Sequence, residues 1–530
     1  MLRNLIDLLI SDAPQNFQEN FWPFSAKCVT LQKNWTKVER IAQTTMKRLL
    51  ISCICLCALT STDANVYYNG LCTKIGDNYY QEFWDDEDES DDVRVELVYW
   101  SSAPDTLFVP ATIEWAGETA YVDRVDDGFF QDYQLKAVVV DADNRSLTSQ
   151  DGLLFSNDGT LMGWPRGKGG VFTIGKDMQL NYRLLINRPL LTAIEVDEND
   201  TRFSSRDGVL FTKDGLQLLV YPAGREGAYS VPQGVTTITG SAFNGSSHLT
   251  ELQLPETVCE IGVSAFEGCS QLRHVNIPEG VEELPSSLFA HCTQLEALEI
   301  PSTVNHLGHN VFWDCNSLKT INIPASVTKM EYSALWYDYG MTDIQVDESN
   351  PTYKSIDGIV YSKDGTQLLH CPCGRTGTVT IAKGTTTLDH SFFCCEKLEK
   401  VVIPASVETI GEATFSECYS LSSIYTEREE PAHGKVWVFW PTVNNFWLPS
   451  QCTIYVPKGC KEKYQRQDDD NWWSRFWIEE YESTGIADVG TSSDNSAASR
   501  YALDGRPATG KRSLKIVRQK DGITKKVIGY

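Results

Sequence analysis

Positive charge is scarce in this 530-residue chain: 46 lysines and arginines stand against 71 aspartates and glutamates, a formal charge of −25. Such a surface cannot neutralise phosphates at scale, which argues against a nucleic-acid partner. Long apolar runs are missing too. The mostly apolar stretch Leu49 to Thr60 is too short to cross a bilayer, so no transmembrane span is expected in the mature chain. The sequence contains no Walker loop, no His-Glu-x-x-His, no Gly-x-Ser-x-Gly and no Cys-x-x-Cys. Without a catalytic or metal-ligand spacing the chain reads as a non-enzyme with no cofactor. At 42% apolar content it can still bury a large core.

What is present is repetition. From Leu254 to Pro324 one pattern returns three times without a gap, with a period of 23 residues marked by Pro255, Pro278, Pro301 and Pro324. Phe266, Phe289 and Phe312 share one position, Cys269, Cys292 and Cys315 a second, and Leu272, Leu295 and Leu318 a third. Phe415 and Cys418 resume the pattern later. Self-similarity at this length is the signature of a solenoid. The stretch Leu272 to Ile277 alternates apolar and polar residues, as a half-buried strand does, and Pro278 ends it because proline has no N–H for a ladder. Val281 and Leu284 carry the chain round the next side, and Phe289 opens a brief helical or 3₁₀ turn facing inward. Gly262 and Gly308 suggest a left-handed turn position, although Pro285 and Glu331 share it, so glycine is permitted there rather than required. Stacked coils lay Leu on Leu, Phe on Phe and Cys on Cys at roughly 4.8 Å. The expected fold is therefore mainly β with short helical or 3₁₀ turns, a solenoid of about 23-residue coils.

The run Ile261-Gly262-Val263-Ser264-Ala265-Phe266-Glu267-Gly268-Cys269 resembles the BspA-like leucine-rich repeats, whose pattern is Leu-x-x-Ile-x-Ile-Pro-x-x-Val-x-x-Ile-Gly-x-x-Ala-Phe-x-x-Cys. The resemblance covers roughly Val66 to Glu482. It implies a leucine-rich-repeat solenoid in a secreted or surface-exposed protein associated with adhesion and protein binding, and it brings no catalytic residues.

The rest of the chain arranges itself around the array. Met46-Lys47-Arg48, the apolar run and the small residues of Thr62-Asp63-Ala64 form a secretory signal peptide over residues 46–64, which makes residues 1–45 an upstream, non-native extension. Residues 65–140 read as an N-terminal cap and degenerate first repeat. Its acidic run from Asp85 to Asp92 lies between strand-like segments, as a hairpin tip in solvent does, and lacks the spacing of a calcium loop. The solenoid proper takes residues 141–426. It is interrupted three times by modules with two Asp-Gly pairs, Asp151-Gly152 with Asp158-Gly159, Asp207-Gly208 with Asp214-Gly215, and Asp357-Gly358 with Asp364-Gly365. Asp-Gly between apolar segments is a tight-turn signal, so each module is expected to be a β-hairpin. Residues 427–482, with Trp437, Trp440, Phe446, Trp447, Trp472, Trp473 and Trp477, read as an aromatic cap over the open end. Residues 483–499 have linker composition. In 500–530, Tyr501 to Arg506 and Leu514 to Arg518 with Asp521-Gly522 read as hairpin-linked strands, and the tail resembles those of proteins exported by type IX and related secretion systems.

Cys28, Cys53, Cys55 and Cys57 would be lost on maturation, and Cys269, Cys292, Cys315, Cys395 and Cys418 share one repeat position, where small thiols can fill a ladder. Cys371, Cys373 and Cys394 allow a local disulfide, while their spacing is wrong for the common structural zinc sites. The histidines His274, His291, His306 and His309 fall at variable positions, as surface residues do. In each strand Val275 and its equivalents point inward, and two outward columns remain: His274, Ala297, Thr320 and Asp343, then Asn276, Glu299, Asn322 and Gln345. Their mixed polar character suits selective hydrogen bonding, which makes them the candidate binding face for an extracellular protein or matrix component. A glycan-binding or glycan-processing surface protein is the alternative, resting on indoles such as Trp437 and Trp472.

Overall fold

Each coil from Leu254 to Pro324 begins with a proline turn. Val258, Val281, Val304 and Val327 donate their backbone N–H to the carbonyls of Pro255, Pro278, Pro301 and Pro324 at 3.0–3.3 Å, and each valine turns into the core. Proline's fixed φ suits the first corner of such a turn, and its missing N–H is not needed there. The computed structural model describes residues 72–75, 78–82, 92–100, 104–115, 117–132, 134–434, 452–466, 472–482, 500–501, 513–518 and 524–529. The predicted upstream extension, the signal peptide, the acidic run before Asp92, the linker 483–499 and Trp437, Trp440, Phe446 and Trp447 lie outside these residues.

The described residues form two compact units. One contains the chain up to Ala103 with Phe108–Phe129 and Val140–Thr148, and the other contains Pro104–Leu107, Phe130–Val139 and everything from Ser149. The first is built on a five-stranded sheet in the order Cys72–Ile75, Asn78–Glu82, Val93–Trp100, Glu118–Val125, Thr112–Trp115. Asn78–Glu82 and Val93–Trp100, which flank the acidic run, pair antiparallel. Asp123 is buried and ion-paired to Arg94 at 2.9 Å and Arg145 at 3.1 Å, and Arg145 lies 3.6 Å over the Tyr121 ring. The arginines hold the Asp123 carboxyl below its ordinary range against the opposing effect of burial.

The second unit is a solenoid with two ladders of parallel strands. In one, Gly227–Ser230, Leu249–Gln253 and His274–Val275 are neighbours, as are Thr320–Ile323 and Asp343–Val346. Farther on, Gly377–Thr380, Leu398–Ile403, Ser423–Thr426, Thr453–Pro457 and Trp477–Tyr481 make five strands of the same kind. The other ladder stacks short two-residue strands, Glu283–Leu284 on His306–Leu307 on Lys329–Met330. The first ladder breaks at the coil of Leu295 to Ile300, which keeps a single bond from the Glu296 N–H to the Arg273 carbonyl at 3.3 Å.

The third side of each coil corrects the expected helical turn. Phe266 N–H bonds the Leu288 carbonyl and Phe289 N–H the Val311 carbonyl, so these turns hydrogen-bond from coil to coil. Two left-handed residues bracket each phenylalanine, Ser264 and Gly268 around Phe266 and Ser287 and His291 around Phe289, which precludes a helix. The left-handed positions are not Gly262 and Gly308. Glycine occupies those two because the preceding coil passes so close: a Cβ on Gly262 would lie 2.3 Å from the Gly240 nitrogen, and one on Gly308 2.6 Å from that of Ser286.

Phe266, Phe289, Phe312, Phe415, Cys269, Cys292, Cys315, Cys418, Leu272, Leu295 and Leu318 are all fully buried. Neighbouring phenylalanine rings sit 5.5 Å (Phe266 and Phe289) and 6.0 Å (Phe289 and Phe312) apart, inside the range of favourable aromatic pairs. The column cysteines are not only filler. Four thiols donate to the carbonyl of the phenylalanine one coil back, Cys269 to Phe243 at 3.3 Å, Cys292 to Phe266 at 3.2 Å, Cys315 to Phe289 at 3.1 Å and Cys418 to Phe392 at 3.0 Å, while Cys395 donates to the Cys371 carbonyl at 3.5 Å.

Each Asp-Gly module is more than one hairpin. In the second and third, three antiparallel strands meander, Phe203–Arg206, Val209–Thr212 and Gln217–Val220, then Tyr353–Ile356, Ile359–Ser362 and Gln367–His370. The last strand of each joins the parallel ladder. At the first pair both residues are left-handed, Asp207 (φ 51°) with Gly208 (φ 71°) and Asp357 (φ 50°) with Gly358 (φ 67°), the type I′ geometry that two-residue loops favour. At the second pair the aspartate accepts a backbone N–H two residues on, 3.0 Å for Asp214 and 2.9 Å for Asp364. Buried Asn350 anchors the third module's entry, donating to the Pro324 and Val327 carbonyls and accepting from the Thr352 and Tyr353 N–H groups at 2.8–2.9 Å.

At the open end Trp472 and Trp473 are buried and stacked 4.0 Å apart, and the Trp473 indole donates to the Ala432 carbonyl at 3.1 Å. Trp477 is 70% exposed. In the tail, Ser513–Arg518 pairs antiparallel with Thr524–Gly529, and Arg500–Tyr501 adds a third strand.

Candidate binding surfaces

The strand face carries the predicted columns. Register pairs set Glu251 beside His274, Thr320 beside Asp343 and Asn322 beside Gln345. His274, Glu299, Thr320, Asn322 and Gln345 are exposed, and Asp343 is half-buried. Asp343 and Gln345 hydrogen-bond each other. Asn276 differs from the others. Its side chain accepts the Leu254 N–H at 2.7 Å and donates to the Leu254 carbonyl at 2.8 Å, so its amide extends the backbone ladder of a neighbouring coil rather than facing solvent unbound.

The second ladder carries charge at the same 23-residue spacing. Glu283, His306 and Lys329 are register partners, and His306 lies 3.1 Å from Glu283 and 3.2 Å from Glu331. Lys329 pairs with Glu331 at 2.7 Å, and these contacts hold the Glu331 carboxyl below its usual range, the Lys329 and His306 hydrogen bonds being the largest causes.

A surface the sequence reading did not find lies on the turn side. The residue after the column phenylalanine, or after the Leu335 that replaces it, is Asn244, Glu267 and Ala290 in the first coils and Ser416 in the last, but Trp313, Trp336 and Phe393 between them. These rings join neighbouring aromatics and histidines into one ridge. His291 meets Trp313 at 5.4 Å, Trp313 stacks on Tyr337 at 5.2 Å, and Tyr337 meets Phe393 at 5.5 Å. Trp336 stacks on Phe393 at 4.1 Å and His390 at 5.6 Å, and Tyr332 packs edge-on against it at 5.1 Å. Tyr332 is 66% exposed. The signal was available: aromatics at a position that is small or polar in sister coils.

Beneath the ridge the cysteine column is broken. Asp338 stands where Cys315 and Cys395 stand in their coils; it is fully buried and its carboxyl oxygens have no close hydrogen-bond partner. Burial pushes its pKa well above the ordinary carboxylate value, which favours the neutral acid. Cys371, Cys373, Cys394 and Cys395 are nearby buried thiols, unbridged like Cys269, Cys292, Cys315 and Cys418. Burial also raises Cys269, Cys292, Cys315 and Cys418, which leaves them protonated and inert. Among the described residues no grouping of histidine, cysteine, aspartate and glutamate is placed to hold a metal ion, and no helix is long and apolar enough to cross a membrane. Trp472, one basis of the glycan alternative, is packed inside the cap and presents no ring to solvent.

The fold and its surfaces define a leucine-rich-repeat solenoid that displays side chains on several faces. Residues 228–342 and 369–432 match, in six copies, the family described as BspA type leucine rich repeat region, so those stretches are repeats of that type. Similar solved structures include a leucine rich cell surface protein from Faecalibacterium prausnitzii, 18% identical over 80% of this chain and 97% of that one with a TM-score of 0.36. A leucine-rich repeat protein from Bacteroides ovatus is 17% identical over 78% and 100%, with a TM-score of 0.34. The pneumococcal vaccine antigen PcpA is 14% identical over 77% and 99%, with a TM-score of 0.28. No curated protein matches the chain.

Proposed function

We propose that this chain is an exported, surface-displayed scaffold, without enzymatic activity, that binds an extracellular protein or matrix component through the strand face of its solenoid. The observation that carries the reading is the row of exposed, mixed polar side chains on that face, Glu299, Thr320, Asn322 and Gln345, above inward residues such as Ile321 and Ile344 that the core holds in place. A rigid row of donors and acceptors favours selective contact with a partner of matching shape over adhesion by charge alone. The leader beginning at Met46 and the acidic, soluble composition agree with export.

The test is crosslinking of the exported protein on intact cells, followed by affinity measurement with each recovered partner. Replacing Glu299, Thr320 and Asn322 together with alanine is expected to weaken binding by at least about tenfold while leaving the melting temperature in place. Full affinity of the triple variant for every recovered partner would move binding off the strand face.

A further inference from the structure

The aromatic ridge has no folding role that would explain its composition. Coils with Glu267 or Ala290 at the ridge position make the same turn as those with Trp313 and Trp336: Gly268 N–H bonds the Ala290 carbonyl at 2.8 Å, and His291 N–H bonds the Trp313 carbonyl at 2.7 Å. Where Gly268 takes a left-handed conformation at no steric cost, His291 (φ 62°) and Tyr337 (φ 58°) take it with a side chain attached. Large rings held partly in solvent at these positions indicate a surface shaped for contact.

The chemistry of the partner follows from ring geometry and charge. The Trp336 indole stacks against Phe393 and His390, with the well-exposed Tyr332 edge-on to it, so the rings are ordered before anything binds. Two carboxylates along the ridge are hydrogen-bonded to imidazoles, Asp314 to His291 at 3.1 Å and Asp389 to His390 at 3.1 Å, Glu331 pairs with Lys329, and Glu417 accepts from the Tyr337 hydroxyl at 3.4 Å. These contacts hold the carboxylates in place as acceptors for hydroxyl groups. His390 also stands on the rim of an open groove of about 470 Å³, lined among others by Asp389, Thr409, Glu412 and His433. That size is within the range of small-ligand sites. Flat rings pack against the C–H faces of pyranoses, and carboxylates, hydroxyls and imidazoles hydrogen-bond vicinal hydroxyls.

We infer that the ridge of Trp313, Tyr332, Trp336 and Phe393, with the groove beside His390, is a binding site for a neutral oligosaccharide. It is separate from the strand face and independent of what that face holds.

The full-length exported protein, applied to an array of neutral oligosaccharides with an oligo-arginine peptide alongside, tests this. At least one neutral oligosaccharide should bind, and binding should persist in about 0.5 M NaCl, which screens exposed charge pairs. Tyr332→Ala should weaken it by about tenfold or more at an unchanged melting temperature, Tyr332→Phe should retain it, and Trp336→Ala should abolish it. The strand-face triple variant should bind sugar normally, which separates failure of this site from failure of the protein-binding reading. The inference is overturned if no neutral oligosaccharide binds, if sugar binding survives both Tyr332→Ala and Trp336→Ala, or if only oligo-arginine binds and salt releases it.

Discussion

The coils from Leu254 to Pro324 and the coil that follows, Ala325 to Val346, share a backbone path and differ in what fills it. In the regular coils each phenylalanine stacks on the next and each cysteine donates to a phenylalanine carbonyl. In the following coil Leu335 replaces the phenylalanine, Asp338 the cysteine, and Tyr332, Trp336 and Tyr337 take turn positions that are small or polar in several sister coils. The regular coils keep the phenylalanine and cysteine columns intact. The departing coil leaves a carboxyl without a close partner inside and sets rings outside, and local breaches of consistency are expected where a protein has work beyond folding.

The contrast can be pressed hardest in the core. Phe289→Ala removes a ring held between two others and should destabilise the protein by about 3–5 kcal/mol, measured by denaturant unfolding. A loss below about 1 kcal/mol would mean that the stack contributes less than its burial implies. Asp338 offers the next effect, with a sign that depends on pH. Its folded pKa is raised, so the native state keeps a proton that the unfolded chain has released above about pH 4. Stability should therefore fall as pH rises from there, by up to about 1.4 kcal/mol per unit, relative to Asp338→Asn, in which the slope is absent. Asp338→Cys, which restores the column, should be more stable than the parent at neutral pH. Parallel stability curves for the parent and Asp338→Asn between pH 4 and 7 would show that the carboxyl is not held neutral.

A smaller effect belongs to the regular coils. Cys292→Ala loses a thiol bond and leaves a small cavity, costing about 1–2 kcal/mol, and reductant should not change the parent's melting temperature because the column cysteines are unbridged. A large drop with reductant would reveal a disulfide. The smallest difference lies within one outward column. Asn276→Ala breaks two bonds to Leu254 and should cost about 1–2 kcal/mol, whereas Asn322→Ala, at an exposed site, should stay within about 0.5 kcal/mol. Equal effects would place the two asparagines in the same environment, contrary to the bonds seen here.

Most of the coil was legible from residues 23 apart. A buried position in a stacked array must be apolar and nearly constant, so Phe289, Cys292 and Leu295 declare themselves by recurrence. The Asp-Gly pairs were legible as turns for a different reason, since few other dipeptides accept two left-handed residues in succession. The three-stranded form of each module was not. Whether the segment after the second turn pairs back on the module or onward with the solenoid depends on which ladder edge it meets. Glycines 262 and 308 misled in a similar way, because a residue that lacks a side chain for want of space looks the same in sequence as one that needs positive φ.

The sequence by itself determined the period, the inward residues and the turns, because each is a local or strictly periodic requirement of the backbone. Only the tertiary structure decided which outward residues act together. Asn276 turned from a free surface group into a ladder bond because the neighbouring coil brings the Leu254 backbone within 2.8 Å of its amide. Trp336 and Phe393 are separated in sequence by the whole third Asp-Gly module, and they stack at 4.1 Å because the meander leaves the solenoid and returns its chain to the adjacent coil. An insertion of that length erases the period along the chain while stacking preserves it in space, so the ridge exists only once the coils are folded.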